Sequence, residues 1–136
     1  MTGVKGKLIT GVFLLCVVLA GCSSTSRQGE EPTAKTGWVG YTESGIASYY
    51  ADKHQHRRTA SGEPYQHEQL TAAHRKLPFG SQVKVTNVDN GKTVTVKIND
   101  RGPFVRGRII DLSKSAFSRL GSTALGLLDV TIEVIR

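Results

Sequence analysis

Hydrophobic and polar positions alternate through two neighbouring stretches, QVKVTN at 82–87 and TVTVKIN at 93–99, where Val83, Val85, Val94, Val96 and Ile98 fall on every second residue. A half-buried strand needs that period, because its successive side chains leave opposite faces. Asp89-Asn90-Gly91 between them offers residues that tolerate a tight reversal, so the two stretches predict a hairpin. DVTIEVIR at 129–136 alternates in the same way and predicts a strand, and GIASYY at 45–50 and LTAAH at 70–74 predict shorter ones. The turn Leu77-Pro78-Phe79-Gly80 follows the last of these. The period changes at SKSAFSRL, where Ala116, Phe117 and Leu120 share a helical face behind Ser113, a residue suited to capping. A further helical turn is expected over 123–128. Many short strands and little helix in about 90 residues favour a small closed barrel, which leaves no strand edge exposed.

Ahead of these elements the composition shifts. Residues 23–43 are rich in Ser, Thr, Gly, Glu, Lys and Pro, with too little apolar surface to fold, and read as a tether. Trp38 and Tyr41 at its end are expected to pack on the domain surface. Before it, Lys5 and Lys7 precede the apolar block LITGVFLLCVVLA, too short for a comfortable membrane span and typical of a secretory signal. Leu19-Ala20-Gly21-Cys22 resembles the bacterial lipobox, in which the cysteine is acylated and the chain is cut just before it. That resemblance divides the chain into a signal peptide (1–21), a tether lipid-anchored through Cys22 (22–43) and a folded domain (44–136). Ser23 after the cysteine is similar to lipoproteins sent to the outer membrane. Cys16 lies in the segment to be removed, so no intrachain disulfide is expected.

The net charge of +7, from 18 Lys and Arg against 11 Asp and Glu, would raise nucleic acid as a partner in a cytosolic protein. An envelope address and the scatter of Arg57, Arg58, Arg75, Lys76, Arg101, Arg106 and Arg108 argue against it. An anionic polymer such as cell-wall glycan, or a soluble surface, accounts for the charge.

Candidate chemistry concentrates in INDRGPFVRGRIIDLS at 98–113, which carries Asp100 and Asp111 on either side of a Gly-Pro turn. Each aspartate has a structural reading: Asp100 as an Asx turn at a strand end, Asp111 beside the free N–H groups near Ser113. Arg101, Arg106 and Arg108 could pair with either. Glu63, in the polar run Thr59-Ala60-Ser61-Gly62-Glu63, answers no packing pattern, whereas His74, closing the apolar run of LTAAH, is expected partly buried beside a strand end, where a lone histidine is more often structural than catalytic. An acid, a histidine and two aspartates at strand ends match the needs of glycosidic-bond cleavage, where one group protonates the leaving oxygen and others stabilise the oxocarbenium ion. His54, His56, His67 and His74 could be weighed as zinc ligands, but Arg57 and Arg58 beside the first pair disfavour a cation. Neither metal nor cofactor is expected, and no serine elbow, catalytic cysteine, P-loop or dinucleotide fingerprint is present.

GIASYY, RRTASGEPY, LTAAHRKLPFGSQVKVTN, NGKTVTVKINDRGPF and GRIIDLSKSA resemble, in order and spacing, the rare lipoprotein A family of septal ring lytic transglycosylases. The resemblance covers about Gly45 to Ile135 and implies a mainly β fold, a six-stranded double-psi β-barrel with one or two short helices. It also implies cleavage of the MurNAc-GlcNAc β-1,4 bond of peptidoglycan, preferably in strands lacking stem peptides, to leave 1,6-anhydro-MurNAc ends. The family's functional residues fall on Glu63, His74 and Asp100, and Asp111 resembles the aspartate of related barrels. His74 would orient or charge-balance the acids, and Tyr49, Tyr50, Arg101 and Phe104 would line the sugar groove. The alternative is a non-catalytic, expansin-like glycan-binding or wall-loosening module. Implied partners are peptidoglycan strands, the membrane through the lipid anchor, and cell-envelope or division machinery, although the sequence does not run on past Arg136 into the peptidoglycan-binding repeat that many members carry. Where the family has Tyr-Gly and Phe-His-Gly-Arg, this chain reads Tyr50-Ala51 and His54-Gln55-His56-Arg57, so the groove loop is expected to take another shape.

Overall fold

The computed structural model describes residues 37–136. The signal peptide, Cys22 and most of the tether lie outside the described residues. Contacts divide the chain into two units, Met1–Glu30 and Glu31–Arg136, and the fold is that of the second.

Six strands, β1 (Thr42–Tyr49), β2 (Thr71–Ala73), β3 (Gln82–Asn87), β4 (Thr93–Asp100), β5 (Arg108–Leu112) and β6 (Leu128–Val134), close into a barrel in the order β1-β5-β2-β4-β3-β6. The β3–β4 hairpin has the expected register, Val83 opposite Val96 and Val85 opposite Val94. The pairs β1–β5 and β2–β4 are parallel, so each needs a long crossover rather than a hairpin. Those crossovers carry the chain that builds the site.

The alternating side chains converge inside: Val83, Val85, Val96, Ile98, Ile110, Leu112 and Ile132 have no exposed surface. Each contributes about 1.5–3 kcal/mol by leaving water. Helix α1 (Lys114–Leu120) is capped by Ser113, whose hydroxyl accepts from the Ala116 N–H, and buries Ala116, Phe117 and Leu120 against one end of the barrel. The expected second helical turn is a single 3-10 turn, Thr123–Leu125. Gly45 permits close approach of β1 to β5, since a Cβ there would stand 2.6 Å from Ile109 Cγ2.

β1 begins at Thr42, three residues before the strand that the sequence predicts. Its early part alternates exposed and half-buried positions and has no apolar signal, but it pairs with β6 from Thr42 opposite Glu133 onward. Trp38 and Tyr41 pack against the core just before it, their rings edge to face at 5.2 Å. Among the described residues no helix is long and apolar enough to cross a membrane.

Candidate active site

The two aspartates meet across β2. Ala73 pairs with Asp100 of β4 on one side and with Asp111 of β5 on the other. Two strand spacings separate their backbones, about 10 Å. Both border one open groove of about 450 Å³, which Tyr50, Arg101, Phe104 and Arg108 also line.

Asp100 stands at the end of β4, where the chain leaves the barrel. Its Oδ2 accepts the Tyr50 hydroxyl at 2.6 Å, and its Oδ1 accepts the backbone N–H groups of Ala60 at 2.8 Å and Arg101 at 2.9 Å. All three donors are neutral. Burial, and then the bond to Asp100, push the Tyr50 phenol well above its usual pKa, so it stays a neutral donor. Its ring stacks on the buried Tyr65 at 4.3 Å, and the Tyr65 hydroxyl is in turn bonded to His67 Nδ1 at 2.7 Å.

Asp111 has different company. Its Oδ1 is 2.5 Å from Arg108 Nη2 and accepts the Ser48 hydroxyl. Ser48 lies opposite Asp111 in the parallel β1–β5 pair, and Arg108 is three residues before it on β5.

Arg101 is held flat. Its guanidinium lies 4.0 Å over the Phe79 ring, and Nη1 donates to the carbonyls of Leu77 at 2.9 Å and His74 at 3.2 Å. Phe104, 80% exposed, is the apolar rim of the groove.

Glu63 and His74 stand outside the groove that the aspartates border, and Tyr49 lines it. Glu63 does not line the groove: both its oxygens take Lys97 Nζ, at 3.0 and 2.9 Å, and Oε2 takes Asn99 Nδ2 at 3.3 Å. The Lys97 bond holds its pKa below the usual carboxylate value. The T-A-S-G-E loop thus contacts the end of β4 at two points, Asp100 and the Lys97–Asn99 pair. It sends the Ala60 N–H to the first and Glu63 to the second.

His74 is buried, and its ring points away from the groove residues toward Glu43. Nδ1 accepts from the N–H groups of Lys76 at 3.1 Å and Leu77 at 3.2 Å, which puts the ring proton on Nε2, 3.0 Å from Glu43 Oε2. Burial lowers its pKa, with Arg75 and Arg101 adding to the shift against the opposing Glu43. Tyr49 borders the groove, but its ring packs on Phe117 at 4.7 Å and its hydroxyl donates to the Thr123 carbonyl at 3.0 Å. Tyr50, just after β1, presents its hydroxyl to Asp100 in the groove.

The altered loop keeps a left-handed turn. His56, standing where the resembled family has Gly, adopts φ +67 and is the one non-Gly residue with positive φ among those described. Glu43, Ser48, Lys97 and Asn99 were not singled out as site partners from the sequence, whereas Arg108 was among the arginines read as able to pair with an aspartate and does so with Asp111. Ser48 had a signal: in G-I-A-S-Y-Y, period two places it on the same face as Tyr50, opposite Ala47 and Tyr49.

A family model described as lytic transglycolase, of the double-psi β-barrel type, matches residues 42–132. The "Endolytic peptidoglycan transglycosylase RlpA" of Vibrio cholerae is 53% identical over 71% of this chain and 36% of its own length. The protein of the same name from Haemophilus influenzae is 45% identical over 99% of this chain and 46% of its own. The chain thus spans less than half the length of these relatives. Among solved structures, a Streptomyces papain inhibitor superposes with a TM-score of 0.58 at 28% identity, over 72% of this chain and 97% of that one. Apo Clavibacter michiganensis expansin gives 0.56 at 24%, over 71% and 51%, a likeness of fold. The closed barrel, the Asp100 strand end and these matches together establish that the chain belongs to the lytic transglycolase family of RlpA-like proteins.

Proposed function

We propose that the protein is an endolytic peptidoglycan transglycosylase in which Asp100 moves the proton. The observation that carries this reading is the asymmetry of the groove: Asp100 is bonded only by neutral donors, whereas Asp111 is ion-paired to Arg108. Asp100 in its acid form gives its proton to the glycosidic oxygen as the C1–O bond of MurNAc breaks. The same carboxylate then takes the proton of that sugar's 6-hydroxyl as its oxygen bonds to C1, closing the 1,6-anhydro ring. Water is not consumed, and Asp100 ends protonated, as it began.

The ion-paired Asp111 lies across Ala73 and supplies negative potential toward the developing oxocarbenium ion. Tyr50 holds Asp100 Oδ2, Arg101 and Phe104 contact the glycan, and Glu63 fixes the loop that delivers the Ala60 N–H. Glycan strands lacking stem peptides are the preferred substrate, since an open groove rimmed by Phe104 suits an unbranched chain. The activity for which these relatives are named supports the peptidoglycan assignment. Incubating the full chain with denuded and intact sacculi, followed by mass analysis, tests it. Anhydro ends released faster from denuded strands are expected, while binding without products would instead establish a wall-loosening module.

The lipobox supports anchoring through Cys22 at the outer membrane, facing the periplasm, where the substrate and envelope or division machinery lie. Labelled palmitate should enter the protein and be lost from Cys22→Ser; equal labelling of both would overturn the anchor.

A further inference from the structure

One buried group does no proton transfer in this mechanism, yet the groove rests on it. His74, 2% exposed, closes the turn after β2 by accepting two successive amides, Lys76 and Leu77, on Nδ1. That turn is the cradle of Arg101: the carbonyls of His74 and Leu77 and the ring of Phe79 hold the guanidinium. The His74 N–H also donates to the Asp100 carbonyl at 3.2 Å. What orients the imidazole is Glu43 at the start of β1, 31 residues away in sequence, whose Oε2 receives Nε2 and also the Tyr41 hydroxyl at 3.1 Å.

We propose that Glu43 is a positioning residue for the groove: through the neutral His74 ring it fixes the turn that holds Arg101 against the substrate. The proposal rests on the groove being the glycan site. An imidazole has one acceptor nitrogen only while neutral, and Nδ1 keeps that role only while Nε2–H has its own acceptor. Without Glu43 the buried Nε2–H has nothing to bond, and the ring gains by turning out of the two amides. The Leu77 and His74 carbonyls then move, and Arg101 loses its fixed direction although no residue of the groove has changed.

The test compares Glu43→Ala, Glu43→Gln, Arg101→Ala and Glu43→Ala/Arg101→Ala in the full chain. Denuded glycan strands are the substrate, with thermal melting as a check on folding. Glu43→Ala is expected to lower kcat/KM by about ten- to a hundredfold, mostly through KM, the scale of a misplaced groove side chain. Glu43→Gln should recover most of it, because its carbonyl oxygen still accepts Nε2–H. The double variant should be no worse than Arg101→Ala alone, since both remove one function. Wild-type kinetics in Glu43→Ala, no rescue by Gln, or effects that multiply in the double variant would each overturn the proposal.

Two-dimensional 1H–15N spectra of the Arg101 side chain read the same link without catalysis. Its Nε–H signal should be dispersed in the wild type and in Glu43→Gln, and collapse to the free-arginine position in Glu43→Ala. An unchanged signal overturns the link even if the protein proves to have no lytic activity, so the two failures are separable. If Glu43→Ala does not fold, Glu43→Asp, which draws the carboxylate back from Nε2, is judged by the same two readouts.

Discussion

The two ends of the groove hold their carboxylates by opposite means. At the β4 end, Asp100 is gripped by a phenol and two backbone amides, groups that can rearrange around a protonated or an ionised acid. At the β5 end, Asp111 is bound to a guanidinium and a serine on adjoining strand positions, and a proton there would have to displace an ion pair. Two aspartates eleven positions apart, both at strand ends beside arginines, thus keep different company, one among neutral donors and the other in an ion pair. The difference is made by the groups around each aspartate, from its own strand, the adjoining strand and the loops, not by the aspartates themselves.

The largest test of that contrast is the pair of isosteric amides. Asp100→Asn should lower release of anhydro products by about a thousandfold, within the range for a lost general acid and base. Asp111→Asn should cost about a hundredfold or less, as loss of a supporting charge. Equal losses, or a greater loss at Asp111, would reverse the assignment. Tyr50→Phe cuts deeper into the Asp100 end alone: it removes one neutral donor and keeps the stack on Tyr65. About a tenfold fall in kcat is expected, with KM nearly unchanged. A variant that changed KM only would make Tyr50 a sugar platform instead.

Much of the barrel could be read from the chain and little of this contrast could. Val83 to Ile98 and Val130 to Val134 announce strands because one face is buried and the other wet, so period two is written in them. β1 before Gly45 could not be seen, since Thr42, Glu43 and Ser44 pair with β6 through backbone groups that carry no side-chain pattern. Asp100, Asp111, Glu63 and His74 are legible as candidates from their residue types and their places at strand ends and turns, although the aspartates and the histidine each have a structural reading as well. The local pairing of Arg108 with Asp111 is legible too, but the distant partners are not: Lys97 reaches Glu63 across 34 positions and Tyr50 reaches Asp100 across 50, distances set by closure of the barrel. Glu63 and His74 are therefore expected from the sequence beside the aspartates, whereas neither lines the groove: one is held by Lys97 and Asn99 and the other by Glu43.

The ends of the groove should also part company with pH, because only the Asp100 end stands on a histidine. The groups facing His74 are Glu43, Arg75, Arg101 and the amides of Lys76 and Leu77. Burial and the two arginines outweigh Glu43, so the folded pKa lies below the unfolded value of about 6.5. A depressed histidine contributes nothing to pH dependence well above that value. Stability then falls as pH drops from about 6.5 toward the folded pKa, where the unfolded chain binds the proton that the native state resists. The slope approaches at most about 1.4 kcal/mol per pH unit. Urea melts between pH 7.5 and 5 should show this loss in the wild type and a flatter profile in His74→Gln. Parallel profiles would remove His74 as the cause.

The smallest effect belongs to the loop that departs from its family, and it serves as the control for both ends. His56 holds φ +67 without the freedom of glycine, in a turn whose N–H is bonded to the Tyr65 carbonyl at 2.8 Å. A left-handed residue with a Cβ costs about 1 kcal/mol, and glycine returns part of that gain as unfolded-state entropy. His56→Gly should therefore stabilise the fold by about 0.5 kcal/mol, seen as a small rise in the urea midpoint at unchanged m-value. Kinetics on denuded strands should stay within twofold, because His56 itself does not line the groove, which the turn meets through His54 and through Tyr65 beneath Tyr50. If the glycine variant instead changed kcat, the departure at His56 would be a device that sets Tyr50 on Asp100. The neutral grip on Asp100 would then depend on a loop peculiar to this chain rather than on the barrel.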